Sequence, residues 1–302
     1  MIRAALRRLG EDRLLLALTL ACPVLVLLSP MPAGALLSTL PALIEPHTLG
    51  ALAGLMILSR GLEDSGYLLR AGRHLLQRVG GERRLAATLV VFAATLSAIV
   101  TNDVALFIVV PLTLGLRTAA HLPIGRLIIF EALAVNAGSA LSPVGNPQNL
   151  YLWQMSGHGF IDFTLTMLPL ASALMILLLA LIPFAFPPQR IQVSEVLAMP
   201  PPRRALLALS MLLYPLFLLA IELGYAVPGA LLLTGLYGWR FRQVLSGVDW
   251  ALLVVFVLMF VDLGLLARLP AILSAGDALE ALPGGLFTAA VALSQVMSNV
   301  PA

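Results

Sequence analysis

The sequence predicts an all-α, polytopic membrane protein with inverted-topology repeats, re-entrant helical hairpins and a broken transmembrane helix. Three observations carry that prediction. Of the 302 residues, 60% are hydrophobic and only 11% are charged, whereas roughly a quarter of a soluble domain is charged. The apolar run 85–116 holds Ser97 and the triplet Thr101-Asn102-Asp103 near its middle, and the pattern S-x-x-x-[ST]-N recurs as Ser294-Gln-Val-Met-Ser298-Asn299. Finally, the apolar stretch 127–152 contains Ser142-Pro143-Val144-Gly145-Asn146-Pro147-Gln148-Asn149, which an intact helix does not accommodate.

A span needs about 20 mostly apolar residues, and 14–30, 47–66, 127–152, 163–186, 204–223, 226–241 and 248–267 qualify. The first follows a basic start, as in a signal peptide, but its apolar run has no small-residue cleavage pattern, so it reads as a retained helix. The next segment, 31–46, has a short apolar centre bounded by Pro32, Pro41, Glu45 and Pro46, and reads as a loop or a short re-entrant piece. The chain has 18 arginines and no lysine. If 31–46 does not cross, every arginine but Arg268 falls on one side, which the positive-inside rule makes cytoplasmic, together with the N-terminus.

The run 85–117 is too long for one ordinary span and has arginines at both ends. It reads as a helical hairpin entering from the cytoplasmic side, with its polar tip near the bilayer middle, where such a tip must be buried in protein or line a wet cavity. An ionisable group there costs roughly 2.5–3.5 kcal/mol on insertion scales, so Asp103 is a candidate functional residue. Five spans separate this tip from Ser294, so the second hairpin must enter from outside, and the two copies are inverted. The organisation is then a first repeat over 1–186, a cytoplasmic linker over 187–203, and a second repeat over 204–302 that ends inside its hairpin.

Pro143, Gly145 and Pro147 break the helix after the first hairpin at mid-membrane. The break leaves two half-helix ends, with Ser142, Asn146 and Asn149 supplying side-chain oxygens nearby. Carbonyl and amide oxygens at such a break suit a cation such as Na⁺, while half-helix N-termini favour an anion.

The order of a T-N-D hairpin, a broken S-P-V-G-N-P-Q-N helix and an S-N-x-P hairpin resembles the ion transporter superfamily. That group includes Na⁺-coupled dicarboxylate carriers, citrate carriers, arsenite permeases and NhaD-type antiporters. Asn102-Asp103 and the G-N-P-Q-N of 145–149 are more similar to the arsenite-permease and NhaD-like branch than to the dicarboxylate branch, whose tips read S-N-T. The resemblance implies a scaffold holding a moving part, alternating access and a homodimer. It also implies that Thr101, Asn102, Gly145, Asn146, Pro147 and Asn149 line one half of the cation and substrate site, with Na⁺ at Thr101, Asn102, Gly145 and Asn146. Ser298 and Asn299 line the other half. Set against the family pattern, the second copy stops soon after Asn299, and the chain reads as C-terminally incomplete.

Each of these residues also has a plainer reading. Thr101-Asn102 and Ser298-Asn299 are the residue types that cap helices at turns, although their recurrence favours the site. Asp103 is either an ion or proton carrier or the partner of a buried arginine or a hairpin-tip N–H. Glu131, early in the broken helix, reads as a solvated structural carboxylate. Glu63, Asp64 and Gly66 echo Asp262 and Gly264 as a repeated helix end and turn. Tyr151 and Trp153 read as interfacial belt aromatics, the Arg-rich 60–84 as either an anionic-lipid-binding segment or an ordinary cytoplasmic loop, and His47, His74, His121 and His158 as lone surface residues.

Arginines scattered between apolar segments form no nucleic-acid surface. The single cysteine, Cys22, excludes an intramolecular disulfide. No P-loop, H-E-x-x-H or G-x-S-x-G motif is present, which argues against an ATPase or an enzyme. The expected function is secondary active transport of a small anion or oxyanion, coupled to Na⁺ or H⁺ with no other cofactor, in the lipid bilayer of a bacterial inner membrane. The alternatives are a Na⁺/H⁺ antiporter, an arsenite-type efflux permease, and a non-transporting fragment or assembly partner.

Overall fold

The apolar runs read as spans are helices, and the Pro/Gly clusters between them are where the helices stop. The computed structural model describes residues 13–28, 43–76, 79–116, 122–190, 201–270, 272, 274 and 284–294. In chain order the helices are α1 (Arg13–Leu28), α2 (Pro46–Asp64), α3 (Tyr67–Leu76), α4 (Glu82–Ile99), α5 (Asn102–Gly115), α6 (Ile124–Ser139) and α7 (Pro147–Ser156). They continue with α8 (Phe160–Ala185), α9 (Arg204–Glu222), α10 (Ala226–Arg240), α11 (Arg242–Gly247), α12 (Trp250–Leu266) and α13 (Gly285–Ser294). Among the described residues there is no strand, only an isolated antiparallel bridge between Gly81 and Arg190.

The hairpin is α4 and α5, joined at Val100-Thr101. The broken span is α6 and α7, separated by 140–146. Two short helices were not expected. The Arg-rich stretch 60–84 is not an ordinary loop: α2 runs on to Asp64, Gly66 turns the chain at φ 75°, and α3 follows. With Leu68, Leu69, Leu75 and Leu76 set among Arg70, Arg73 and His74, α3 has the amphipathic pattern of a helix lying at an interface. The six-residue α11 likewise interrupts the turn between α10 and α12. The segment 31–42 and the second hairpin tip, including Ser298 and Asn299, lie outside the described residues.

The chain divides into two compact units, Met1–Leu49 with Asp249–Ala302, and Gly50–Val248. This division by proximity does not bear on the repeat boundaries. In the first unit α1 packs along α12, and Val261 and Leu265 are buried against Cys22, Leu25, Val26, Leu43 and Ile44. Asp249 caps α12, accepting from the amides of Ala251 and Leu252 at 3.1 and 3.4 Å. Asp262 and Gly264 lie inside α12 rather than at its end, unlike Glu63 and Asp64, which close α2.

The second unit holds two groups of helices. In one, α6 is the hub: α4, α5 and α8 all pack on it, and α3 lies against both hairpin arms. In the other, α2, α9 and α10 meet through glycines. A Cβ on Gly54 or Gly229 would strike the Phe217 ring at 2.1 or 2.9 Å, and one on Gly61 would meet the Ser210 hydroxyl at 2.5 Å. The Ser210 and Tyr237 hydroxyls bond each other at 2.8 Å in that contact. Arg60 pairs with Glu63 and Asp64 at 3.4 and 2.9 Å, and its guanidinium lies over Gly247.

The long helix α8 exposes Ile161, Leu165, Leu168, Ile176 and Phe184. Apolar surface on this scale needs lipid or protein to cover it. Its last turn is held by arginines: Arg83 donates to the carbonyls of Phe186 at 2.7 Å and Pro183 at 2.8 Å, and Arg126 donates to Ala185. Cations suit the carbonyl end of a helix. These bonds tie the base of the hairpin and the base of α6 to the end of α8.

Candidate functional site

The hairpin tip and the helix break meet, and glycines set how closely. A Cβ on Gly138 of α6 would lie 2.2 Å from the Ala94 carbonyl oxygen of α4, so the two backbones touch there without side chains between them. A Cβ on Gly145 would lie 2.2 Å from the Ser139 carbonyl oxygen, so the break folds back onto the end of α6. Polar groups then join the pieces. The Ser97 hydroxyl donates to Val135 O at 2.8 Å, and the Ser142 hydroxyl to Ala98 O at 2.7 Å. The Asn102 amide N–H donates to Gly145 O at 2.8 Å.

Two of the asparagines expected to line the site also build the break. Asn146 is the N-cap of α7, its Oδ1 accepting from the Asn149 amide at 2.8 Å, and Pro147 follows as the first helical residue. The Asn146 side-chain amide donates to the carbonyl and hydroxyl of Ser139 at 3.0 and 3.2 Å. Asn149 donates to Ser139 O, Ala140 O and Ser142 O at 3.2, 2.9 and 3.2 Å. Carbonyls freed by the broken helix are therefore taken up by the amides of Asn146 and Asn149, which is how irregular backbone is tolerated inside a membrane.

The tip behaves differently. Thr101 is the N-cap of α5 yet its side chain makes no capping bond, and Asn102 Oδ1 is buried without a hydrogen-bond partner. The capping reading thus describes Asn146 but not Thr101. Asp103 is exposed in the first turn of α5, where the helix dipole favours a negative charge. At this crossing α4 and α6 end and α5 and α7 begin, so two carbonyl ends and two amide ends lie close together. That arrangement offers partial charges of both signs without an ionised side chain.

Two further expectations are corrected. Glu131 is not solvated: it is fully buried on α6, accepts a hydrogen bond from the buried Thr113 hydroxyl of α5, and leaves its second oxygen unpartnered. The sequence position near a helix start hid this, because burial there depends on the neighbouring hairpin arm. Trp153 is not a belt residue. It is buried, donates from Nε1 to His158 O at 2.8 Å, and stacks edge-on with Phe160 at 5.7 Å. Among the described residues no group of three or more His, Cys, Asp or Glu side chains is placed to hold a metal.

A hairpin tip docked in a helix break, within a chain of apolar helices, defines a membrane transporter scaffold. The chain belongs to the CitMHS citrate transporter family, whose pattern it matches over residues 5–302. It is 45% identical over 262 residues to the inner membrane protein YbiR of Escherichia coli, covering 86% of this chain and 70% of that one. A transporter of Methanocaldococcus jannaschii, MJ0456, is 29% identical over 268 residues, covering 86% and 71%. The silicon efflux transporter LSI3 of rice is 34% identical over 128 residues, covering 42% of this chain and 26% of that protein. The protein is thus a polytopic membrane protein of a transporter family.

Proposed function

We propose that the protein is a secondary active transporter of a small anion or oxyanion, coupled to Na⁺ or H⁺ by alternating access. The observation that carries this reading is the buried, unpartnered Asn102 Oδ1 at the crossing of tip and break. A buried amide oxygen without a donor costs about 1–3 kcal/mol, and a cation arriving there removes that cost. Thr101 and the Gly145 carbonyl are the neighbouring oxygens for it, while the amide ends of α5 and α7 favour the anion. Asn146 and Asn149 act by shaping the break. In this reading the moving part contains α4 to α8, the scaffold contains α2, α9 and α10, and two protomers associate. The N-terminus and all arginines but Arg268 face the cytoplasm.

The test is uptake of radiolabelled citrate, the substrate in the family's name, into vesicles holding the purified protein, with a Na⁺ or a pH gradient imposed. Arsenite and silicic acid are the comparison solutes. Gradient-dependent flux of at least one solute is expected. Flux that ignores both gradients contradicts coupling, and no flux of any of the three contradicts the substrate class. The efflux reading is favoured by the rice relative's name, and silicic acid leaving preloaded vesicles faster than it enters distinguishes it.

A further inference from the structure

A carboxyl with no exposed surface lies away from the tip, in the seam between the returning hairpin arm and the first half of the broken helix. Glu131 on α6 and Thr113 on α5 both have no exposed surface. Thr113 Oγ1 donates to Glu131 Oε1, and Oε2 is buried with no hydrogen-bond partner. One turn to either side along α6 lie Leu127, Ala134 and Val135, and along α5 Val109 and Leu116, all buried. Nothing in this band offers a donor to Oε2.

The charges on the surrounding helices are engaged or distant. Arg126, earlier on α6, donates to Ala185 O and lies over the Phe186 ring at 6.0 Å. Arg83 on α4 donates to Pro183 O and Phe186 O, and Glu82 and Arg84 sit beside it at the helix start. Asp103 is ten residues from Thr113 along α5, about 15 Å by helical rise. Asp162 is at the far end of α8. Arg70, Arg73 and His74 lie on α3, which crosses the hairpin with Gly72 against Leu112 and Phe92. Thr113 is the polar side chain bonded to Glu131.

A carboxyl with one oxygen bonded by a hydroxyl, the other in an apolar band, and no cation beside it is a poor home for a fixed charge. It is a good home for a mobile proton. We infer that Glu131 is a proton-binding site: the arrangement shown holds a proton on Oε2, and a change at the α5–α6 seam that admits water releases it. Uptake forms one O–H bond to Oε2 as hydronium gives up a proton and becomes water, and release to water reverses it, so the hairpin and broken-helix group gains one unit of positive charge on uptake and loses it on release. The step needs no other reactant. Thr113 is a positioning residue, holding Oε1 so that Oε2 is the oxygen that takes the proton. The link to coupling rests on the transport reading above, whereas proton binding itself does not.

The experiment uses the full protein in phosphatidylethanolamine–phosphatidylglycerol vesicles and reads the infrared C=O stretch of protonated carboxyls as the buffer is made alkaline. A band that fades with rising pH is expected in the wild type, weakened by one carboxyl in Glu131→Gln and retained in full in Asp103→Asn. Thr113→Val, which removes the donor to Oε1, should keep the band and shift its frequency upward, a change that a purely structural role does not produce. It is also the variant to rely on if Glu131→Gln fails to fold. A wild-type band that is missing, or unchanged in both Glu131→Gln and Thr113→Val, overturns the site. Citrate uptake driven by a pH gradient is then compared in the same vesicles. Loss of the pH dependence in Glu131→Gln, with citrate still able to exchange, supports coupling through Glu131. A pH dependence equal to wild type overturns coupling while leaving the infrared result to stand. If no citrate, arsenite or silicic acid moves even in the wild type, the transport reading fails, and the infrared band still decides whether Glu131 binds a proton.

Discussion

The hairpin and broken-helix group, α4 to α8, and the group formed by α2, α9 and α10 both rely on glycine, but in different ways. In the first, Gly138 and Gly145 face backbone: Ala94 O and Ser139 O, each 2.2 Å from where a Cβ would sit. In the second, Gly54, Gly61 and Gly229 face side chains, Phe217, Ser210 and Tyr237, while Gly50 meets the Val227 backbone less closely, at 2.9 Å. Backbone held by helical hydrogen bonds cannot move aside, whereas a ring or a hydroxyl can turn or be replaced. The difference teaches that the first group is built to fix the relative position of a tip and a break, and the second to fill space between helices.

The largest effect should come from Gly138→Ala. With Ala94 O in the way, α4 and α6 must separate, at a cost of about 3 kcal/mol or more, and no single side-chain change should restore it. A thermal melt of the purified variant checks this, and a wild-type melting temperature breaks the distinction. Next, Asn149→Ala removes the donor to three carbonyls of the break. A loss of about 2–3 kcal/mol is expected, read as a lower melting temperature.

In the other group, Gly54→Ala displaces the Phe217 ring and should cost about 1–2 kcal/mol. Here rescue is expected: Phe217→Leu combined with Gly54→Ala should melt above Gly54→Ala alone, and failure to do so removes the contrast between the groups. The smallest effect is Ser210→Ala, which leaves the Tyr237 hydroxyl without its partner in the glycine seam. A loss of about 1 kcal/mol is expected, measurable in the same melts.

Much of the fold was legible because apolar length and proline placement report directly on helices in a membrane. The hairpin arms and the break between α6 and α7 fall where Thr101-Asn102 and Pro143–Pro147 put them. The helices α3 and α11 were not legible, since each is short and set among arginines, and its stability comes from what it packs against. At the candidate site, the sequence did not separate residues that build the turn from residues that leave polar atoms unpartnered. Asn146 and Asn102 are both asparagines beside a helix start, yet Asn146 spends its side chain on its own turn and Asn102 does not. Only the path of the chain, with Asn102 N–H already given to Gly145 O, decides that. Glu131 was misread for a related reason, because its burial is supplied by Thr113 and its neighbours on another helix.

The central claim is that the tip binds while the asparagines of the break hold structure, and one paired measurement tests it: gradient-driven citrate uptake and melting temperature, taken side by side for Asn102→Ala and Asn149→Ala. The account predicts that Asn102→Ala melts with the wild type and loses uptake by at least about tenfold, a difference of roughly 1.4 kcal/mol, while Asn149→Ala melts lower. Wild-type uptake in Asn102→Ala, or a melting temperature that falls as far as that of Asn149→Ala, would contradict it.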